Sequence, residues 1–216
     1  MKRALLLLIP VVLLQACTAM AQKLEVSPFI GYTTKARISG DGTIVPGDLL
    51  IEDSFTAGVG LGMTTPQHVG FEAMYTYQNS SITFDPTVVV GQPSTQKDLG
   101  GLGVHLIHAN FLFYQARMDA ITEPYFLLGL GAIILDPSAS GYQTETKFTW
   151  AIGLGVKHWV NDKMGIRLQV RYEPTYINAT NSGYWCDPYY GCYTQQDWNY
   201  LNQFDFTGGV CIKLGH

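Results

Sequence analysis

The sequence predicts an all-β chain, an eight-stranded antiparallel up-and-down barrel that crosses a membrane with its strands. Three observations predict it. Runs of about ten residues, the length a tilted strand needs to cross a bilayer, alternate with a period of two. In the clearest of them one face is apolar along its whole length and the other carries glycines and charges. The connections between runs alternate long and short, as they do when the two ends of a barrel meet different compartments. The one long apolar segment, Ala4 to Leu14, is too short to span as a helix, which leaves strands as the means of insertion.

That segment follows Lys2 and Arg3 and precedes a small-x-small site at Ala19-Met20-Ala21, so residues 1–21 read as a secretory signal peptide and residues 22–216 as the barrel domain. Leu14-Gln15-Ala16-Cys17 offers a competing reading as a lipoprotein box, although Gln15 is larger than that box takes. The chain has 13 basic and 17 acidic side chains, and losing Lys2 and Arg3 moves the formal charge from −4 to −6. This balance argues against a nucleic acid or anionic lipid as an electrostatic partner. Apolar and aromatic content is too high for disorder.

The strands follow in order. Glu25 to Lys35 is the first, with Pro28 near its start. A polar loop through Asp53 leads to the second, where Phe55, Ala57, Val59, Leu61 and Met63 alternate with Thr56, Gly58, Gly60 and Gly62. After the turn TPQH, the third sets Val69, Phe71, Ala73, Tyr75 and Tyr77 against Glu72, Met74, Thr76 and Gln78. A longer loop, Asn79 to Asp98, precedes LGGLGVHLIHANFLFYQ, whose two faces are nearly equally apolar and leave its inner side unassigned. The fifth strand, EPYFLLGLGAIILDP, follows a brief turn. In the sixth, Phe148, Trp150, Ile152, Leu154 and Val156 oppose Ala151, Gly153, Gly155 and Lys157. In the seventh, Met164, Ile166, Leu168, Val170 and Tyr172 oppose Gly165, Arg167, Gln169, Arg171 and Glu173. Such a polar row behind an unbroken apolar one suits a strand with lipid outside and a lumen inside. A long loop precedes the last strand, FDFTGGVCIKLGH, and closure into a barrel removes the edge strands that lipid would leave unpaired.

These patterns resemble the small outer-membrane β-barrel family, the OmpA-like transmembrane barrels. The resemblance rests on Pro124-Tyr125 with Gly129-Leu130-Gly131, on Gly153-Leu154-Gly155-Val156-Lys157, and on Arg167-Leu168-Gln169-Val170-Arg171-Tyr172. The last strand, Thr207 to Leu214, is similar to the signal read by the barrel-assembly machinery, and ends in Gly215-His216 where that pattern has an aromatic residue. The resemblance implies location in the outer membrane of a Gram-negative-type bacterium, outer-membrane lipid and the assembly machinery as partners, and a barrel without the periplasmic domain of longer members.

Glu72, Lys157, Arg167, Arg171, Glu173, Asp205 and Lys213 all fall on the expected inner face. An eight-stranded barrel is just wide enough for side chains to fill, so these are expected to form an ionic plug, with a narrow gated channel as the alternative. Strand direction puts Glu72, Lys157, Arg167 and Lys213 toward the short-turn end and Glu173 and Asp205 toward the long-loop end.

Some barrels of this kind act on lipid A through His with Ser and an acid, but no His-x-Ser-Asn occurs here. His105 and His108 are three apart, hence on opposite faces of a strand, and cannot jointly hold a metal or substrate. His68 sits in a turn, His158 near an interface, and His216 at the end. No catalytic, metal or cofactor site is expected. Cys186 and Cys192 flank DPYYG in the last long loop and are expected to form a disulfide in an oxidising compartment, with Cys211 alone in the last strand. The same loop is dense in Tyr and Trp, read as interfacial girdle and loop packing, with an adhesive or ligand-binding knob as the alternative. The expected function is a structural or surface-interaction role without catalysis, the loops offering contact with an extracellular ligand or surface. A solute channel or a lipid-modifying enzyme are the alternatives.

Overall fold

The computed structural model describes residues 23–40, 47–65, 68–86, 97–115, 120–138, 144–177, 185–187, 191–193 and 199–214. The signal-peptide segment lies outside them. The described chain forms β1 (Lys23–Thr33), β2 (Ala36–Gly40), β3 (Gly47–Ile51), β4 (Ser54–Thr64), β5 (Val69–Pro86), β6 (Lys97–Tyr114), β7 (Thr122–Pro137), β8 (Glu145–Trp159), β9 (Met164–Ile177), β10 (Trp185–Asp187), β11 (Gly191–Tyr193) and β12 (Asn199–Leu214). Strands β1, β4, β5, β6, β7, β8, β9 and β12 pair antiparallel in a closed ring, in which β12 joins β1 and β5 joins β6. This is the eight-stranded barrel that the alternation predicts.

Ring neighbours follow one another directly in sequence except at β1–β4 and β9–β12, where the intervening stretches contain hairpins of their own, β2–β3 and β10–β11. The loop expected over 36–53 contains β2 and β3, and β3 pairs with the far end of β5, Ile51 opposite Ile82 and Gly47 opposite Pro86. Strand β5 thus outgrows β4, which pairs with it only up to Gln78. The loop expected from Asn79 is correspondingly shorter, because residues through Pro86 continue the strand. Its polar NSSIT stretch hides this from periodicity, while its partners on both sides, β3 and β6, supply the ladder that holds it extended.

Two local irregularities have plain causes. Pro28 has no N–H to give, and the β1–β12 ladder is interrupted between Val26 and Phe29 while the β1–β4 ladder runs through. At the loop end of β6 the register shifts past Leu99, and Gly100 takes a φ of 119° that only glycine adopts without strain, its N–H donating to the Asp98 carboxylate at 2.9 Å.

Exposure alternates along the strands of the ring. Leu154, Leu168, Leu61, Ile166 and Phe206 lie outward, and Arg171, Asp205 and Glu173 point inward and are buried. Strand β6, ambiguous in sequence, turns Leu102, Val104, Leu106, His108, Asn110, Leu112 and Tyr114 inward. The inner face of β7 departs from the polar rule, because Tyr125, Leu127, Ile133 and Leu135 are buried inside the barrel. The lumen is therefore layered. At the loop end Ile51, Ile82, Leu102, Val104, Leu106, Ile133, Leu135 and Leu201 form an apolar storey. A smaller cluster of Leu112, Tyr114, Tyr125, Leu127 and Ala151 lies toward the turn end.

Candidate functional site

The lumen below the loop-end apolar storey gathers the ionisable side chains that alternation turns inward, with the smaller apolar cluster beside them. Closest to the turn end, Lys157 of β8 donates to both oxygens of Glu25 on β1, at 2.7 and 2.9 Å, and to the Tyr114 hydroxyl at 2.9 Å. Ser27 donates to Glu25 at 2.8 Å. The ammonium also faces the Tyr114 and Tyr125 rings, 5.4 and 5.9 Å from their centres. Lys213 stands over the Trp159 ring at 3.5 Å, half-buried on the same inner face.

One storey higher, Arg167 of β9 holds Glu72 of β5 with a two-pronged contact, Nη1 to Oε2 and Nη2 to Oε1, the latter at 3.0 Å. Its Nε donates to the Tyr125 hydroxyl at 2.8 Å, which in turn donates to Gln169 at 2.7 Å. Asn110 donates to Glu72 at 3.1 Å. The inner-face glycines make this arrangement fit. A Cβ on Gly155 would stand 2.2 Å from the Tyr125 hydroxyl oxygen, and one on Gly60 would stand 2.8 Å from a Glu72 oxygen.

Higher still, Arg171 contacts Asp205 through Nη2 and lies 3.0 Å from Glu173 through Nη1. Thr33 donates to Asp205 at 3.1 Å, and Arg171 also reaches the Met74 sulfur at 3.1 Å. His108 Nδ1 is 3.9 Å from Glu173. Of the side chains singled out from sequence, Glu72, Lys157, Arg167, Arg171, Glu173 and Asp205 are buried here, with Glu72, Lys157 and Arg167 nearer the turn end and Arg171, Glu173 and Asp205 nearer the loop end. Partner choice was not legible. Glu25, Tyr114, Tyr125, Asn110, Gln169 and His108 complete the network; of these Gln169 was already in the inner polar row of its strand, and Glu25 had a usable signal, since it alternates with Val26, Pro28, Ile30 and Tyr32.

The histidines separate as their spacing requires. His108 is inside; His105 is outside, its Nδ1 2.8 Å from the Tyr75 hydroxyl. His158 faces outward against Thr122 at 2.9 Å. Among the described residues no three His, Cys, Asp or Glu side chains gather as metal ligands would. Cys186 and Cys192 stand directly opposite one another in the β10–β11 hairpin. Cys211 is buried and receives a 3.4 Å contact from Ser27.

A family model described as outer membrane protein beta-barrel domain matches residues 5–206. Among solved structures, the outer membrane protein OprG from Pseudomonas aeruginosa is similar with a TM-score of 0.61, at 12% identity, over 91% of this chain and 97% of that chain. Neisserial surface protein A (NspA) is similar with a TM-score of 0.58, at 14% identity, over 88% of this chain and 97% of that chain. At these identities the likeness is one of fold. No curated protein matches by sequence.

Proposed function

The chain belongs to the outer membrane protein beta-barrel domain family, and from that membership we propose a non-catalytic barrel whose role is structural or is carried by its loop-side surface, in contact with a ligand or surface outside the cell. The observation that carries this reading is the engagement of the luminal charges with one another. Glu25 is held by Lys157, Glu72 by Arg167 and Asp205 by Arg171, and an apolar storey lies over them. A conducting pore needs a wetted path and a hydrolytic site needs an acid or base that a substrate can reach. The loop side is also where the wall is built up beyond the ring, by β2, β3 and the far half of β5.

The same reading has residues 1–21 removed as a signal peptide, the last strand read by the barrel-assembly machinery, and lipid around the outward face. It also has Cys186 joined to Cys192. Directly opposed residues of an antiparallel pair have Cα atoms about 4.5 or 5.5 Å apart, and both spacings suit a disulfide.

Purified protein in planar bilayers is expected to give no single-channel steps, and steps from the unmodified protein would replace this reading with the channel. Lipid A from cells with and without the protein should have one mass profile. A deletion strain should lose adhesion to a surface or ligand while its permeability is unchanged.

A further inference from the structure

The outward belt of the barrel is not evenly filled. Along the row that crosses β12, β1, β4 and β5, Gly208 and Ala57 flank Ile30, and Ala57 is followed by Tyr77. In the next row toward the loops Phe206 and Phe55 flank Tyr32. Small residues in one row with aromatics around them leave a groove of about 530 Å³, walled by Ile30, Phe55, Tyr77 and Phe206 and floored by Ala57 and Gly208. That volume is within the ~300–1,000 Å³ of small-molecule sites. Its walls are apolar side chains exposed on the outside of the barrel, Phe55 at 83% and Ile30 at 73%.

The groove's position limits its occupant. It lies in the loop-side third of β1, just under the rim where the Tyr32 hydroxyl meets the Asp53 carboxylate. The surface around it is the outward belt that a barrel of this family gives to a bilayer, so a lipid chain can enter sideways without leaving the membrane. Charge is absent from its lining, which suits a hydrocarbon and not a headgroup.

We propose that this groove is a binding site for one acyl chain of a membrane lipid in the loop-side leaflet, held between β12, β1, β4 and β5. The proposal goes beyond the surface role above and does not depend on it, since a barrel with either a closed or a conducting lumen would carry the same groove. The chain lies along Ala57 and Gly208 between the Phe55, Tyr77 and Phe206 rings.

The test is native mass spectrometry of the protein reconstituted in dimyristoylphosphatidylcholine vesicles and extracted into a mild detergent. The unmodified barrel is expected to keep one lipid molecule. Ala57→Phe fills the groove from an exposed position and should lower the retained fraction at least tenfold. Gly208→Leu, whose Cβ would meet its nearest neighbour, Leu168, at 3.4 Å, is the second variant should the first fail to fold. Ala109→Phe adds the same ring to the outward face beyond the groove and should leave retention unchanged. The proposal is overturned by an unmodified barrel that keeps no lipid or by equal loss in Ala57→Phe and Ala109→Phe. A dimer that Ala57→Phe splits would assign the groove to a second copy of the chain and overturn it as well.

Discussion

Arg171 is the side chain on which the upper luminal charges depend, because it alone among the described residues gives Asp205 and Glu173 an opposite charge. Arg171→Ala leaves two buried carboxylates without that partner, and breaking a buried pair in this way costs about 3–5 kcal/mol. The urea midpoint of the folded barrel is expected to fall accordingly, and an unchanged midpoint would reject the ionic plug. A second charge effect lies outside the membrane. Glu52, between β3 and β4, is 2.7 Å from Lys35 and accepts a 2.7 Å hydrogen bond from Thr83, and its carboxyl is held below the usual range, chiefly by the Lys35 contact. A lowered carboxylate pKa adds stability that is present above the unfolded value and lost as pH falls through the folded one. Amide protection of the β2–β3 hairpin should therefore weaken below about pH 4, where glutamate ordinarily titrates, and Lys35→Gln should flatten that dependence.

At the scale of the strand, inside and outside are separated by one residue. Leu168 is 57% exposed on the outward face of β9, and its neighbours Arg167 and Gln169 are buried in the lumen. Leu168→Arg places a charge in hydrocarbon at a cost of about 2–4 kcal/mol near the midplane. It should block assembly, read as loss of the heat-modifiable folded band in outer membranes. Normal folding of this variant would reject the assignment of faces. The glycines of the inner face are testable by the same logic. Gly155→Val drives a branched side chain into Tyr125 and should cost about 1–3 kcal/mol, whereas Gly62→Ala meets only the Phe71 carbonyl oxygen at 3.6 Å and should be tolerated.

For the molecule as a whole, the barrel and its last long loop are separately supported. The ring is closed by ladders on every strand, and the β10–β11 hairpin is a two-stranded sheet of its own. A disulfide between Cys186 and Cys192 would constrain that loop by roughly 2–3 kcal/mol in the chain-entropy estimate and contribute nothing to the ring. Reduction is expected to increase proteolysis of the loop and leave the urea midpoint unchanged. Mass spectrometry of non-reduced protein should find one peptide linking these residues with Cys211 free, and Cys211 joined to either would overturn the pairing.

The number of ring strands and the inward side of most of them were legible in the sequence, because alternation and chain direction are local properties of extended backbone. The same locality set the limit. Strand β6 is apolar on both faces and gave no inner side, since at its loop end the lumen is itself apolar. The β2–β3 hairpin and the far half of β5 carry too little alternation to be read, and exist because each supplies the other's ladder. Partner choice was decided by closure alone. Arg171 and Asp205 face each other on adjacent strands, but Glu72 and Arg167 are 95 residues apart on β5 and β9, and Glu25 and Lys157 are 132 apart on β1 and β8. Neither of these two pairs is on neighbouring strands. They meet only because an eight-stranded ring is narrow enough for side chains from opposite walls to touch across its lumen.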